Sequence, residues 1–384
     1  MTKVQRPRTL AMFAALLVLG LPLSLTGCGD FFVNTSTTGT TSGGTAIAND
    51  YLYVVNPSAN TLVGYAMNTN GTATQIGAYN LPTGFAGNAV TVSRANTFVY
   101  IGGPQGIVGY SIGTGGALAA LVSGAALSLQ PTLSLDTSPD GQWLFALNQQ
   151  TPTIDEYKIT ATGQLSVQNS AAYQQGSTNF PTVPLQVRAS PAGNYVAAAL
   201  GTGGFVVFPF TTSAGTFGTP VQLSFTTAGI GVNGLAIDPA GAYLYETQQN
   251  GVLSYRLSTL FTNAQPTPVG SLANAGAGAS SIVINQAGTF LYVGNRTDQN
   301  ISAFSIANGV LAQVSGSPVT GASNTTPRSL AIDRTAAYLF EGTLAPSGDF
   351  TIYGFDNTIA GKPVQKSVGS TGADALGAQV AASY

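Results

Sequence analysis

The chain of 384 residues contains no histidine, a single cysteine, one tryptophan and three methionines, and only 7% of its residues are charged. Each scarcity removes a class of chemistry. Without histidine there is no Ser-His-acid triad, no imidazole general base and no histidine-rich zinc or copper site. One cysteine allows no intramolecular disulfide. So few basic residues, 12 Lys and Arg against 14 Asp and Glu, leave no basic surface for nucleic acid. No metal and no cofactor are expected.

What is abundant is turn and strand chemistry: 48 Gly, 20 Pro, 16 Tyr and 18 Phe, in a chain that is 44% hydrophobic. That composition fits a turn-rich all-β protein and excludes a disordered one. The stretch DPAGAYLYETQQNGVLSYRL, Asp238 to Leu257, is a β-hairpin in miniature. Pro239, Ala240 and Gly241 form a turn, Ala242 to Gln248 a strand, Asn250 and Gly251 a tight reversal, and Val252 to Leu257 a second strand.

The phrase recurs. Turns opened by Ser93, Ser138, Ser190, Asp238, Asn285 and Asp333 each run into an aromatic-rich strand, with Asn96 and Ala336 replacing the usual glycine in two of them. One apolar anchor per strand gives Leu52, Val99, Leu144, Val196, Leu244, Leu291 and Leu339, spaced 45 to 52 residues apart. The following strand carries an aromatic, Tyr65, Tyr110, Tyr157, Phe208, Tyr255, Phe304 and Phe355, with nearly the same spacing. Seven copies of a period in the high forties, built of short strands without a helical pattern, predict a seven-bladed β-propeller with four antiparallel strands per blade. A single blade cannot bury both faces, so each needs a neighbour on either side. The C-terminal AQVAASY, Ala378 to Tyr384, matches the inner strands GLAID, SIVIN and SLAID but has no blade after it. It is therefore expected to close the ring as the inner strand of the first blade.

At the N-terminus Lys3, Arg6 and Arg8 precede the apolar run Leu10 to Leu21, and LTGC follows at Leu25 to Cys28. This arrangement resembles a bacterial lipoprotein export signal, which implies cleavage before Cys28, acylation of its thiol and new amino group, and a membrane partner held through lipid. Residues 1–27 are then the signal peptide, 28–49 a lipidated, Thr/Ser/Gly-rich tether, and 50–384 the propeller. Removing Lys3, Arg6 and Arg8 leaves nine of the 12 basic side chains against 14 acidic ones, a net of −5. The expected location is outside the cytoplasm, facing periplasm or cell exterior, as a monomer. Strands of about five to seven residues are too short for an outer-membrane barrel, whose strands need roughly nine to eleven.

The Asp/Ser-Pro-x-Gly turns followed by YLYVVN, Tyr51 to Asn56, and FLYVGN, Phe290 to Asn295, resemble the seven-bladed lactonase-like propellers, the group of 6-phosphogluconolactonase-like and tyrosine-valine-threonine-asparagine repeat proteins. The resemblance covers about residues 50–384 and implies either of two activities. One is a binding or interaction module for a carbohydrate, lactone or protein ligand. The other is a lactonase-type hydrolase acting on a sugar lactone.

Candidate site residues are charges where the repeat prescribes apolar ones. Glu246 and Glu341 occupy a slot filled elsewhere by Val54, Ile101, Ala146, Ala198 and Val293. A buried carboxylate must be paired, neutralised by a raised pKa, or exposed at a mouth, and in the hydrolase reading these two are the candidate bases. At one inner-strand position the residues are Thr91, Asp136, Arg188, Ala236, Val283, Ala331 and Ala381, which predicts a bridge between Asp136 and Arg188 on neighbouring blades. Arg328 starts another inner strand, where a guanidinium would meet an anionic ligand. Arg328, Arg188 and Asp136 are the candidate ligand contacts. Arg256 and Lys158 read as surface charges, the GTGG clusters at 113–116 and 201–204 as hairpin turns, and the NRTDQN loop at 295–300 as ordinary polar loop lacking the calcium-binding pattern.

Overall fold

A computed structural model describes residues 44–384 except 225–229, 263–266, 322–324, 346–348 and 373–375. The expected signal peptide, Cys28 and residues 28–43 of the expected tether lie outside the described residues. Residues 43–384 form one compact unit of seven antiparallel sheets, each built from strands consecutive in the chain apart from the ring closure. The only α-helix among the described residues is one turn, Leu257–Leu260.

The first blade shows how the ring closes. Its strands Ala46–Asn56, Thr61–Asn68 and Ala73–Asn80 are completed on the inside by Gln379–Ala382. Leu52 faces Ala382, Tyr53 faces Ala381, Val54 faces Val380 and Val55 faces Gln379. The remaining inner strands are Ala89–Val92, Thr132–Thr137, Gln186–Ala189, Gly234–Ile237, Ala279–Ile284 and Thr326–Ile332, for blades two to seven. Thr91, Asp136, Arg188, Ala236, Val283, Ala331 and Ala381 pair respectively with Tyr100, Phe145, Ala197, Tyr245, Tyr292, Phe340 and Tyr53, so all seven occupy one repeat position.

The recurring turn opener is a capping device. Asp238 Oδ1 accepts the backbone N–H groups of Ala242 and Tyr243, Asn285 Oδ1 those of Thr289 and Phe290, and Ser93 Oγ that of Phe98. These bonds satisfy donors the strand cannot yet reach and set its starting angle. The fourth turn position has positive φ throughout, including Asn96 at 53° and Ala336 at 54°.

One aromatic assignment requires correction. In six blades the expected third-strand aromatic lies opposite the second-strand anchor, but in the seventh Leu339 faces Tyr353, not Phe355. Pairing fixes the register: Tyr353 lies 14 residues after Leu339, close to the 11 to 13 that separate the pair in the other blades, whereas Phe355 lies 16 after it. Phe355 instead packs against Tyr292 of blade six, ring centroids 5.5 Å apart.

A second aromatic repeat staples the blades. Every second strand carries an aromatic near its start: Tyr51, Phe98, Trp143, Tyr195, Tyr243, Phe290 and Tyr338. Tyr195 stacks on Phe261 of the next blade at 5.6 Å, and the others pack on a positive-φ glycine in the next blade's outer turn. At Trp143 that glycine is Gly215, φ 61°, where an added Cβ would come within 2.2 Å of the indole; the indole N–H donates to Thr212 O nearby. Gly215→Ala therefore combines backbone strain with overpacking and should cost about 2–4 kcal/mol. The expected result is a clear drop in thermal midpoint together with a changed emission from the only tryptophan; a variant matching the parent in both would refute the staple.

Candidate functional site: a two-chambered channel

The inner strands of all seven blades line a central channel. They run from an entry face, which also carries the turns between second and third strands, to an exit face, which carries the capped turns. Val90, Leu135, Ile282, Leu330 and Val380, with Arg188 among them, form an apolar waist shared by the chambers on either side.

The entry chamber, about 450 Å³, is polar. Asn88, Ser134, Gln186, Asn233, Ser280, Ser281, Ser329 and Gln379 line it together with Arg188, Arg296 and Arg328. Several of these polar groups are spent on locking neighbouring blades. Ser134 Oγ accepts the N–H of Val187, Gln186 Oε1 that of Leu235 and Ser329 Oγ that of Val380, while Asn233 Nδ2 donates to Ala279 O. Three are not spent. Asn88 Oδ1, Ser281 Oγ and Arg328 Nε are buried without a hydrogen-bond partner, and a buried polar atom left unpaired costs about 1–3 kcal/mol. Arg296 adds a second guanidinium, its pKa lowered by burial and by the Arg328 charge beside it. The only ion pair among the described residues, Lys362 with Asp356, lies elsewhere. Among the described residues, the entry chamber is therefore lined by three guanidiniums and no carboxylate, in a protein that is acidic overall.

Arg296 belongs to the NRTDQN loop between the second and third strands of blade six. In sequence that loop raises only the question of calcium. Its arginine is brought to the channel by the ring, which no local pattern reports.

Asp136 and Arg188 are adjacent, as expected, but the bridge takes another form. Asp136 Oδ2 accepts the N–H of Ala189 at 2.9 Å and its Oδ1 that of Thr137 at 2.8 Å. The carboxylate thus joins blades three and four through backbone, and the Arg188 guanidinium makes one long bond, 3.4 Å, to Val187 O. Backbone N–H groups are fixed and need no side-chain ordering, which favours this pairing.

Glu246 and Glu341 line neither chamber. Both are buried between blades, 0% and 1% exposed. Glu246 Oε1 accepts from Tyr255 Oη at 3.3 Å and Gln248 Nε2 at 2.9 Å, and Glu341 Oε2 accepts from Tyr353 Oη at 2.7 Å. Burial pushes each up to about 7 against these bonds. Glu156 went unnoticed in the sequence. It too is fully buried, on the third strand of blade three, with both carboxyl oxygens unpartnered and its pKa pushed up to about 7 by burial. Arg256 and Lys158 lie over the Tyr243 and Trp143 rings.

The family described as Lactonase, 7-bladed beta-propeller matches residues 41–183 and 105–362. No curated protein matches by sequence. Solved structures similar to this chain include a 6-phosphogluconolactonase candidate from Bacteroides fragilis, 19% identical with a TM-score of 0.68, covering 88% of this chain and 98% of that one. A second candidate of the same description, from Bacteroides uniformis, is 17% identical with a TM-score of 0.68, covering 86% and 99%. The periplasmic gluconolactonase PpgL of Pseudomonas aeruginosa is 18% identical with a TM-score of 0.65, covering 85% and 98%. At these identities the likeness is one of fold.

Proposed function

The chain belongs to the lactonase seven-bladed β-propeller family, and on that premise we propose that its entry chamber binds an anionic sugar derivative, an aldonate or a phosphorylated sugar acid. The carrying observation is the coincidence of the unpartnered Asn88 Oδ1, Ser281 Oγ and Arg328 Nε with a second guanidinium, Arg296, in one polar chamber. Guanidiniums match carboxylate and phosphate geometry, and amide and hydroxyl groups match sugar hydroxyls. The export signal at residues 1–28 supports a lipid-anchored role outside the cytoplasm.

Hydrolysis of a sugar lactone is the second reading, favoured by family and by the same two guanidiniums, which can stabilise the oxyanion formed when water attacks the lactone carbonyl. Among the described residues lining the chamber, however, there is no carboxylate, histidine, lysine or tyrosine to take the proton from that water. Binding therefore stands first.

Calorimetric titration with gluconate and 6-phosphogluconate tests this, with hydrolysis of glucono-δ-lactone followed in parallel. Binding without turnover, weakened about ten- to a hundredfold by Arg328→Gln, is the expected result, since a hydrogen bond to a charged group contributes about 1.5–3 kcal/mol. Turnover abolished by the same substitution would establish the hydrolase instead. Binding indifferent to Arg328→Gln and to Arg296→Gln would remove the chamber from both readings.

A further inference from the structure

The chamber beyond the waist has a different character. It measures about 460 Å³ and opens on the exit face. Its walls are mainly aliphatic, with Val92, Ile237, Ile284 and Ile332 from four inner strands and Pro191 and Pro239 from the capped turns. Set into these walls are the guanidiniums of Arg94 and Arg188. The one side-chain carboxylate among the described residues of the lining, Asp136, is occupied by two backbone N–H groups, and the terminal carboxylate of Tyr384 accepts from Asn96 Nδ2. The Arg94 guanidinium lies over the Tyr384 ring, 3.9 Å from its centroid, and its Nε is buried without a partner. Stacking on tyrosine leaves the guanidinium edge free to donate, as in bidentate carboxylate recognition. Tyr384 is itself pinned, its N–H donating to Asn96 Oδ1 at 2.7 Å.

We propose that this exit chamber is a second ligand site, for a small carboxylate with an apolar body, held at its carboxylate by Arg94 and Arg188 and along its body by the aliphatic walls. The two chambers then sort ligands by polarity. The entry chamber surrounds its guanidiniums with amides and hydroxyls, whereas the exit chamber surrounds its own with Val, Ile and Pro. An apolar body buries more aliphatic wall in the second, where side-chain amides and hydroxyls that would meet a polyhydroxylated ligand are fewer.

The test is calorimetric titration of the full chain with 4-phenylbutyrate, alone and in the presence of saturating gluconate. One phenylbutyrate should bind per chain, gluconate should not displace it, and Arg94→Gln should weaken it at least tenfold. Gln286→Glu is the second variant, because Gln286 is exposed on this chamber's rim and a carboxylate there repels the ligand without touching the core. Phenylbutyrate that fails to bind at millimolar concentration, that binds equally well to Arg94→Gln and Gln286→Glu, or that is displaced by gluconate would overturn the proposal. Because neither variant lies at Arg296 or Arg328, loss of this site and loss of the entry site are read separately.

Discussion

Removing Gly377 to Tyr384 is expected to abolish cooperative thermal unfolding. The deleted strand supplies four paired residues to blade one, and Ala378, Val380, Ala381 and Ala382 are all buried. They belong to the packing on both sides of that blade, against blade two and against blade seven. Backbone bonds reinforce the closure: Ser383 N–H donates to Tyr51 O at 2.9 Å, and Tyr51 N–H to Ser383 Oγ at 2.9 Å. Without this strand the first blade exposes an unpaired inner edge, and the ring becomes an open arc with two unsatisfied ends. The loss is one of cooperativity as much as of free energy, because repeat architectures are stabilised by neighbour contacts. Addition of the peptide GAQVAASY in trans should restore part of the transition. A deletion mutant melting as sharply as the parent would refute the closure.

Stability should also fall as pH rises from about 4.5 to 7. Glu246 and Glu341 titrate near 7 in the folded chain, against an ordinary value of 4.5, because burial disfavours their charged forms. A carboxyl whose folded pKa is raised binds more protons folded than unfolded. Its contribution is therefore fully present below about pH 4.5 and is lost between there and pH 7. Each glutamate carries on the order of 3 kcal/mol of this effect. Asp50 and Glu156 act in the same direction, Glu156 pushed up to about 7 by burial and Asp50 to about 7 by burial and by the Asp333 carboxyl beside it, where blade one meets blade seven. The exposed Asp356, held near 2 chiefly by Thr358, titrates below this range and leaves the slope unchanged. Differential scanning calorimetry should show the thermal midpoint falling by about 10 °C between pH 5 and pH 8. Glu246→Gln with Glu341→Gln should remove much of the slope, since an amide accepts the same tyrosine bonds without ionising. A midpoint that rises over that range would contradict the burial of neutral carboxyls.

The same two residues show where sequence reading stops. That Glu246 and Glu341 break the apolar pattern is legible, because the repeat supplies five neighbours for comparison. Whether their carboxyls are paired between blades or open at a mouth is not, because spacing fixes the slot but not the side chains, Tyr255 and Tyr353, that meet them there. All seven inner-strand equivalents from Thr91 to Ala381 are recoverable from spacing, since turn length hardly varies there. Tyr353 is missed for Phe355 because strand alternation puts both aromatics on one side, and only the pairing of Leu339 with Tyr353 tells them apart. Arg296 and Arg94 are missed for another reason. Each sits in a polar loop where a charge looks solvated, and only closure of seven blades carries both to the channel.

The most direct measurement is a crystal structure of the chain with 6-phosphogluconate. The account predicts the ligand in the entry chamber, its anionic group on Arg296 and Arg328 and its hydroxyls within reach of Asn88 and Ser281. A ligand bound outside the channel, or seated at Glu246 or Glu341 between blades, would contradict it.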